Sequence, residues 1–315
     1  MKAQELIDLF ERGRKRCHFI GGPEAGVVVG LDLEGRLYAV LGGVVLHRTN
    51  PDALLGVCSR EQYLHAGGDG LWPAPEGSSL GYHYATGEWR VPPGLSGAKY
   101  RVTETAETSA TIRAEIDLIN SEGLGVPAAF ERRIALAGQG GDLTLTVTEQ
   151  IEYLGSLSLS REECLIAPWS LAQFDCGEGC EVVFPAVAAS AIRDLYDPSD
   201  DQRELREGLW HTRTDGGRRY QIGLGEEVEW IEYRDPRRGL RVRREAGPLP
   251  AALRYIDIAD KPPDRPPDGP GVRFSIYSDD SGFMEIEAAG GCADVIEPGA
   301  RMSLTVLTHY ERVAP

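Results

Sequence analysis

Glu285 and Glu287 stand two residues apart in the run Phe283–Gly291, FMEIEAAGG. On a β-strand that spacing sends both carboxylates to one face. Like charges so placed repel in a dry interior, so a polar cleft or solvent is the expected setting. In a cleft, the pair raises one carboxyl pKa toward the range a general base needs. On a solvent-facing strand edge it does no chemistry. A second group falls in Tyr63–Glu76, YLHAGGDGLWPAPE, where His65, Asp69, Trp72 and Glu76 share a stretch with paired glycines. A ring offers a flat apolar face to the C–H side of a sugar, carboxylate and imidazole take its hydroxyls, and glycine lets backbone approach closely. A rigid, self-packed surface loop has the same composition. A third is Cys164–Asp175, CLIAPWSLAQFD, with Trp169 and Gln173 closing an apolar run. A core strand with a buried Trp reads the same way.

The elements that must position these groups are strands. Short apolar or alternating runs recur between Gly, Pro, Asp and Ser punctuation from Val27 onward, with Glu34-Gly35 a hairpin turn between two of them. Leu143–Thr148, LTLTVT, alternates strictly, the mark of a strand with one buried face. In all the chain offers more than ten such runs with almost no helical interruption, the later ones including Tyr220–Leu224, Val272–Tyr277, Phe283–Ala288 and Met302–Thr308. Strands without intervening helices form antiparallel sandwiches. The expectation is all-β: a large antiparallel β-sandwich with a short N-terminal helix. That helix is expected over residues 2–15, where Leu6, Ile7, Leu9 and Phe10 recur at helical spacing. Residues 1–20 are read as this helix packed on the main domain, and residues 21–315 as one sandwich domain. Gly67–Gly97 and the proline-rich Lys261–Gly271 are expected as loops, the latter across a sheet edge.

Composition narrows the function. The 315 residues carry 33 basic and 49 acidic side chains, a net charge of −16. Polyanion binding draws on clustered Lys and Arg, so nucleic acid and anionic membranes are not expected partners. Six cysteines in this length make no disulfide scaffold. The N-terminus lacks the apolar core of a signal peptide, no run nears a membrane span, and neither Asn50 nor Asn120 sits in an N-x-S/T acceptor. A cytoplasmic protein with reduced thiols is expected. Nucleotide, dinucleotide, zinc-protease and serine-hydrolase motifs are absent. Cys176-Gly-Glu-Gly-Cys180 has no second pair to complete a zinc site, so no metal is expected.

Taken in order, these segments resemble the galactose mutarotase (aldose 1-epimerase)-like superfamily, in an uncharacterised bacterial branch. The resemblance rests on Gly67–Glu76, on Trp169–Gln173, on Glu285–Glu287 leading through Glu297-Pro298-Gly299 to Met302–Tyr310, and on Glu34-Gly35-Arg36-Leu37. It implies a twisted antiparallel sandwich with a sugar on one concave sheet. It also implies proton transfer by a late Glu and a His, with no cofactor. Glu287 matches that Glu, and His65 is similar to the histidine of an L-H-G-G motif. Arg36, Asp69, Trp72, Glu76, Trp169, Gln173 and Glu285 are the implied substrate-binding residues. The mid-chain histidine of true mutarotases has no counterpart in Trp169–Gln173, and His83 is the candidate substitute. The partner implied is a small sugar or sugar derivative. A non-catalytic sugar-binding protein, and a lyase or isomerase on another substrate, remain alternatives. The enzyme reading requires His65 and Glu287 to share one cleft, within roughly 10 Å, with room for a sugar ring.

Overall fold

A computed structural model describes residues 1–59, 62–82, 91–138 and 141–313. Two ten-stranded sheets, with antiparallel pairing throughout, stack face to face. The front sheet runs, edge to edge, Cys17–Gly21, Ala25–Gly30, Arg36–Leu41, Asp69–Ala74, Ala167–Asp175, Phe283–Ala289, Phe274–Asp279, Tyr220–Leu224 and Arg193–Asp194, with Val44–Val45 paired to Arg36–Leu41. The back sheet is led by the long neighbours Arg301–Arg312, Asp142–Tyr153, Gly125–Ala137 and Ser109–Ile119. In Asp142–Tyr153, Leu143, Leu145, Val147 and Ile151 are buried while the threonines between them are half-buried, which is the alternation seen in the sequence.

The helix is shorter than expected, Ala3–Arg12. It stops at Gly13, where a β-carbon would come within 2.0 Å of the Leu54 carbonyl oxygen, so chain approach fixes the end. Leu6 and Phe10 pack on Val28, Tyr38 and Val40 of the front sheet. One part of that sheet's outer face is therefore covered, and the central strands keep theirs for other groups. Among the described residues, no helix is long and apolar enough to cross a membrane.

One loop expectation is corrected. Asp69–Ala74, inside the expected loop Gly67–Gly97, is a central strand, although it contains Pro73. Proline in a central strand normally leaves a gap in the ladder. Here Pro73 stands opposite Pro168, and the Pro168 carbonyl turns to the other neighbour, accepting from Gly290 N–H at 2.8 Å. The two prolines meet at a position where the ladder needs no donor. Lys261–Gly271 is free of strand, as expected. It is tied down by Ser78 and Ser79 N–H, which donate to the Lys261 and Arg265 carbonyls at 2.7 Å each.

Candidate functional site

Register places the acidic strand in the middle of the front sheet, and its outer face carries two rows of side chains. Gln221, Tyr277, Glu285 and Gln173 form one row, and Gly223, Ser275, Glu287 and Leu171 the next. Glu285 and Glu287 are only 4% and 1% exposed. The pair is therefore buried rather than solvent-facing, and buried carboxylates require polar partners.

Those partners differ for the two. Trp169 Nε1–H donates to Glu287 at 3.1 Å, and the Gln221 side-chain amide donates to both of its oxygens at 3.1 and 3.3 Å. Burial, then the neighbouring Glu285, pushes the Glu287 carboxyl well above the usual carboxylate range; the Trp169 donor opposes the rise and Glu76 adds to it. Glu287 thus holds a proton under conditions where an ordinary carboxyl has lost it.

Glu285 is held from the opposite side. His65 Nδ1 accepts from Gly67 N–H at 3.3 Å, which assigns the ring proton to Nε2, and Nε2 faces Glu285 Oε1 at 3.3 Å. Gln173 donates to the same oxygen at 3.2 Å. Burial, then Arg36, lowers the His65 pKa below its usual value, against the pull of Glu285. His65 is a neutral ring oriented on Glu285 rather than on Glu287.

Trp72 lies beside this pair with its N–H on Glu34 at 3.2 Å. Its ring packs near those of Tyr63, His65 and Trp169, with centroids 6.0, 5.9 and 6.3 Å away. Arg36 is buried beneath, paired to Glu34 at 2.9 Å, with its carbon 5.8 Å from the Trp72 ring. Gly70 leaves that room, since a β-carbon there would sit 3.1 Å from the guanidinium. At 5% and 2% exposure, Trp72 and Trp169 wall the site rather than offer it an open platform. The paired glycines serve chain approach: a β-carbon on Gly67 would meet the Arg48 carbonyl oxygen at 2.1 Å.

Asp69 does not join the site. It lies on the opposite face of its strand, between the sheets, where Arg132 reaches one oxygen at 2.7 Å and Arg244 the other at 3.1 Å. Burial pulls its pKa up, and the two arginines outweigh that and leave it lowered. Arg132 also binds Glu149 at 2.6 Å, and Arg244 donates to the Ile286 carbonyl at 2.7 Å, between the two site carboxylates. The cluster braces the acidic strand from behind. Glu76 is half-buried at the rim, close enough to raise both Glu287 and the hydroxyl of Tyr196. His83 lies outside the described residues.

Sequence reasoning missed Glu34, Gln221 and Tyr196 at the site, and Arg132, Glu149 and Arg244 behind it. A hollow of about 880 Å³ lies elsewhere, at the back sheet, lined by Glu181, Arg206, His211 and Arg234 among others. Its Glu181 is already engaged by His211 and Arg206 at 2.9 Å. Size alone does not make it the reactive centre; the front-sheet face unites acid, amide and aromatic groups.

The sandwich is the galactose mutarotase-like fold. A galactose mutarotase-like protein from Lactobacillus casei superposes with a TM-score of 0.58 at 12% identity, covering 94% of this chain and 100% of its own. The Slr1438 protein from Synechocystis gives 0.56 at 12% identity, over 94% and 96%. A galactose mutarotase-like protein from Clostridium acetobutylicum gives 0.55 at 12%, over 94% and 95%. By sequence, the chain belongs to a family of unknown function (DUF6786), which matches residues 50–230. No curated protein matches it.

Proposed function

We propose that the protein binds a monosaccharide at the outer face of the front sheet and catalyses aldose 1-epimerase-like isomerisation there. The observation that carries this is the Glu285–Glu287 pair, adjacent on one face yet held in different environments. Such divergence is how a fold separates proton donor from acceptor. Glu287, with its raised pKa, takes and returns the proton of the anomeric hydroxyl. A base whose pKa lies near the working pH does this best. Trp169 and Gln221 stabilise its carboxylate form as the proton leaves. Glu285 is oriented by the Nε2–H of His65, which stays on the imidazole, and by Gln173. With one proton shared between the two carboxyls, Glu285 protonates the ring oxygen as Glu287 takes the anomeric proton, and ring closure reverses both transfers. His65 thus acts through Glu285 rather than as a free imidazolium. As the ring opens and closes, the proton bookkeeping balances within the pair, so either anomer can form. Trp72, Trp169 and Glu76 line the sugar, and Arg36 is a positioning residue beneath Trp72. The six free cysteines fit action in the reducing cytoplasm.

A second reading, binding without chemistry, draws support from His65, which is neutral with both ring nitrogens engaged. Anomer exchange measured by NMR across a sugar panel separates the two. Acceleration that Glu287→Gln abolishes supports the enzyme. Saturable binding with exchange no faster than buffer leaves the binding protein.

A further inference from the structure

Arg219 lies just before the Tyr220–Leu224 strand, two residues ahead of Gln221, and so projects to the same face as the donor that meets Glu287. Its Nε–H donates to the Tyr277 hydroxyl at 2.9 Å. Its guanidinium carbon lies 5.1 Å from the Tyr196 ring centroid and 5.7 Å from that of Tyr277. The two rings meet edge to face at 6.2 Å. An arginine held at Nε and laid against two rings has part of its rotamer freedom restricted before any ligand arrives. Arg219 is exposed, the Asp279 carboxylate lies within electrostatic range of it, and among the described residues neither of its terminal amino groups has a hydrogen-bond partner. A fixed fork with both tines empty, at the rim of a site, matches an oxyanion held by two parallel hydrogen bonds.

We propose that Arg219 sets substrate specificity by binding the carboxylate of an acidic sugar, so that the site takes a hexuronate in preference to the parent hexose. This rests on the sugar-site reading above. Charge chooses between carboxylate and phosphate. The Tyr196 hydroxyl lies within electrostatic range of Arg219, Glu76, Asp260 and Glu287 together. One guanidinium offsets one negative charge there. A dianionic phosphate would bring a second negative charge that this one guanidinium does not offset.

The test is calorimetric titration with glucuronate and galacturonate, with glucose and galactose, and with the hexose 6-phosphates, on wild type, Arg219→Gln and Arg219→Lys. Wild type should bind a uronate about tenfold or more tighter than its parent hexose, the scale of hydrogen bonds to a charged group. Arg219→Gln should bring that ratio close to one. Arg219→Lys, a point charge without the fork, should fall between. A circular-dichroism melt of each variant confirms that it is folded. Equal wild-type affinities for uronate and hexose, or a preference that survives in Arg219→Gln, overturns the assignment and leaves the sugar site standing. Tighter binding of the 6-phosphates overturns the choice of carboxylate. Failure of every sugar, neutral or acidic, to bind removes the site itself and this inference with it.

Discussion

Glu285 and Glu287 share one face of one strand, yet among the described residues they are held by different partners: His65 and Gln173 hold the first, Trp169 and Gln221 the second. The strand period brings the carboxylates together, and the neighbouring strands decide how each is solvated. That division underlies every expectation below.

Glu287 is stored at a cost. Its folded pKa lies above the unfolded value, so its neutral form fits the fold at low pH. As pH rises past the unfolded value, the unfolded chain gains by ionising and the folded one does not, so stability falls until the folded pKa is passed. Glu287→Gln removes that term. The variant should melt at or above the wild-type temperature near neutrality, with a gap that widens as pH rises from about 4.5. Melting curves at a series of pH values check this, and a variant less stable than wild type by a constant amount at every pH would count against it.

Trp169→Phe keeps the ring and removes the N–H that favours the Glu287 carboxylate. Without that donor the Glu287 pKa should rise further. If Glu287 is the base, the ascending limb of the pH–rate profile for anomer exchange should move to higher pH. An unmoved limb would mean that another group controls it.

His47 provides a structural control away from the reactive face. It is buried, accepts from Ala39 N–H at 3.0 Å and stacks on Phe174 at 4.9 Å. Burial lowers its pKa to about 3. A histidine with a depressed folded pKa contributes stability above its unfolded value and loses it as pH falls. Wild type should therefore lose stability on acidification from about 6.5 toward 3. His47→Gln should flatten that slope, as read from urea midpoints against pH.

Asp69→Ala leaves Arg132 and Arg244 buried without one shared carboxylate. Breaking a buried ion pair costs roughly 3–5 kcal/mol, so the melting temperature should drop on the order of 10 °C. Asp69→Asn, which keeps the shape and some acceptors, should lose less.

Much of the sandwich was legible because alternation is a local signal. Leu143–Thr148 announces its buried face residue by residue. Asp69–Ala74 was not legible, since Pro73 argues against a strand until Pro168 is known to stand opposite it. The convergence of Trp72, Trp169, Gln173 and the two glutamates was visible only as ordered segments, because register between distant strands is not written in any one of them. Glu34 and Gln221 were missed for the same reason. The buried cluster had a signal that went unread. Arg132, Glu149 and Arg244 each occupy the apolar phase of an alternating strand, as in Leu143, Leu145, Val147, Glu149, Ile151. A lone charge in that phase calls for a partner across the interior. Asp69 read as a ligand group because its loop composition suits one, and only the strand's phase turns it inward.

The most direct measurement is an NMR titration of the glutamate side-chain carboxyls, selectively ¹³C-labelled, with Glu287 assigned by its loss in Glu287→Gln, recorded with and without a saturating sugar. Glu287 should titrate well above the ordinary glutamate range in the free protein, and its midpoint should move when the sugar fills the face it shares with Glu285. A Glu287 signal that titrates like an exposed glutamate, and does so unchanged beside bound sugar, would contradict a proton-transferring carboxyl at this site.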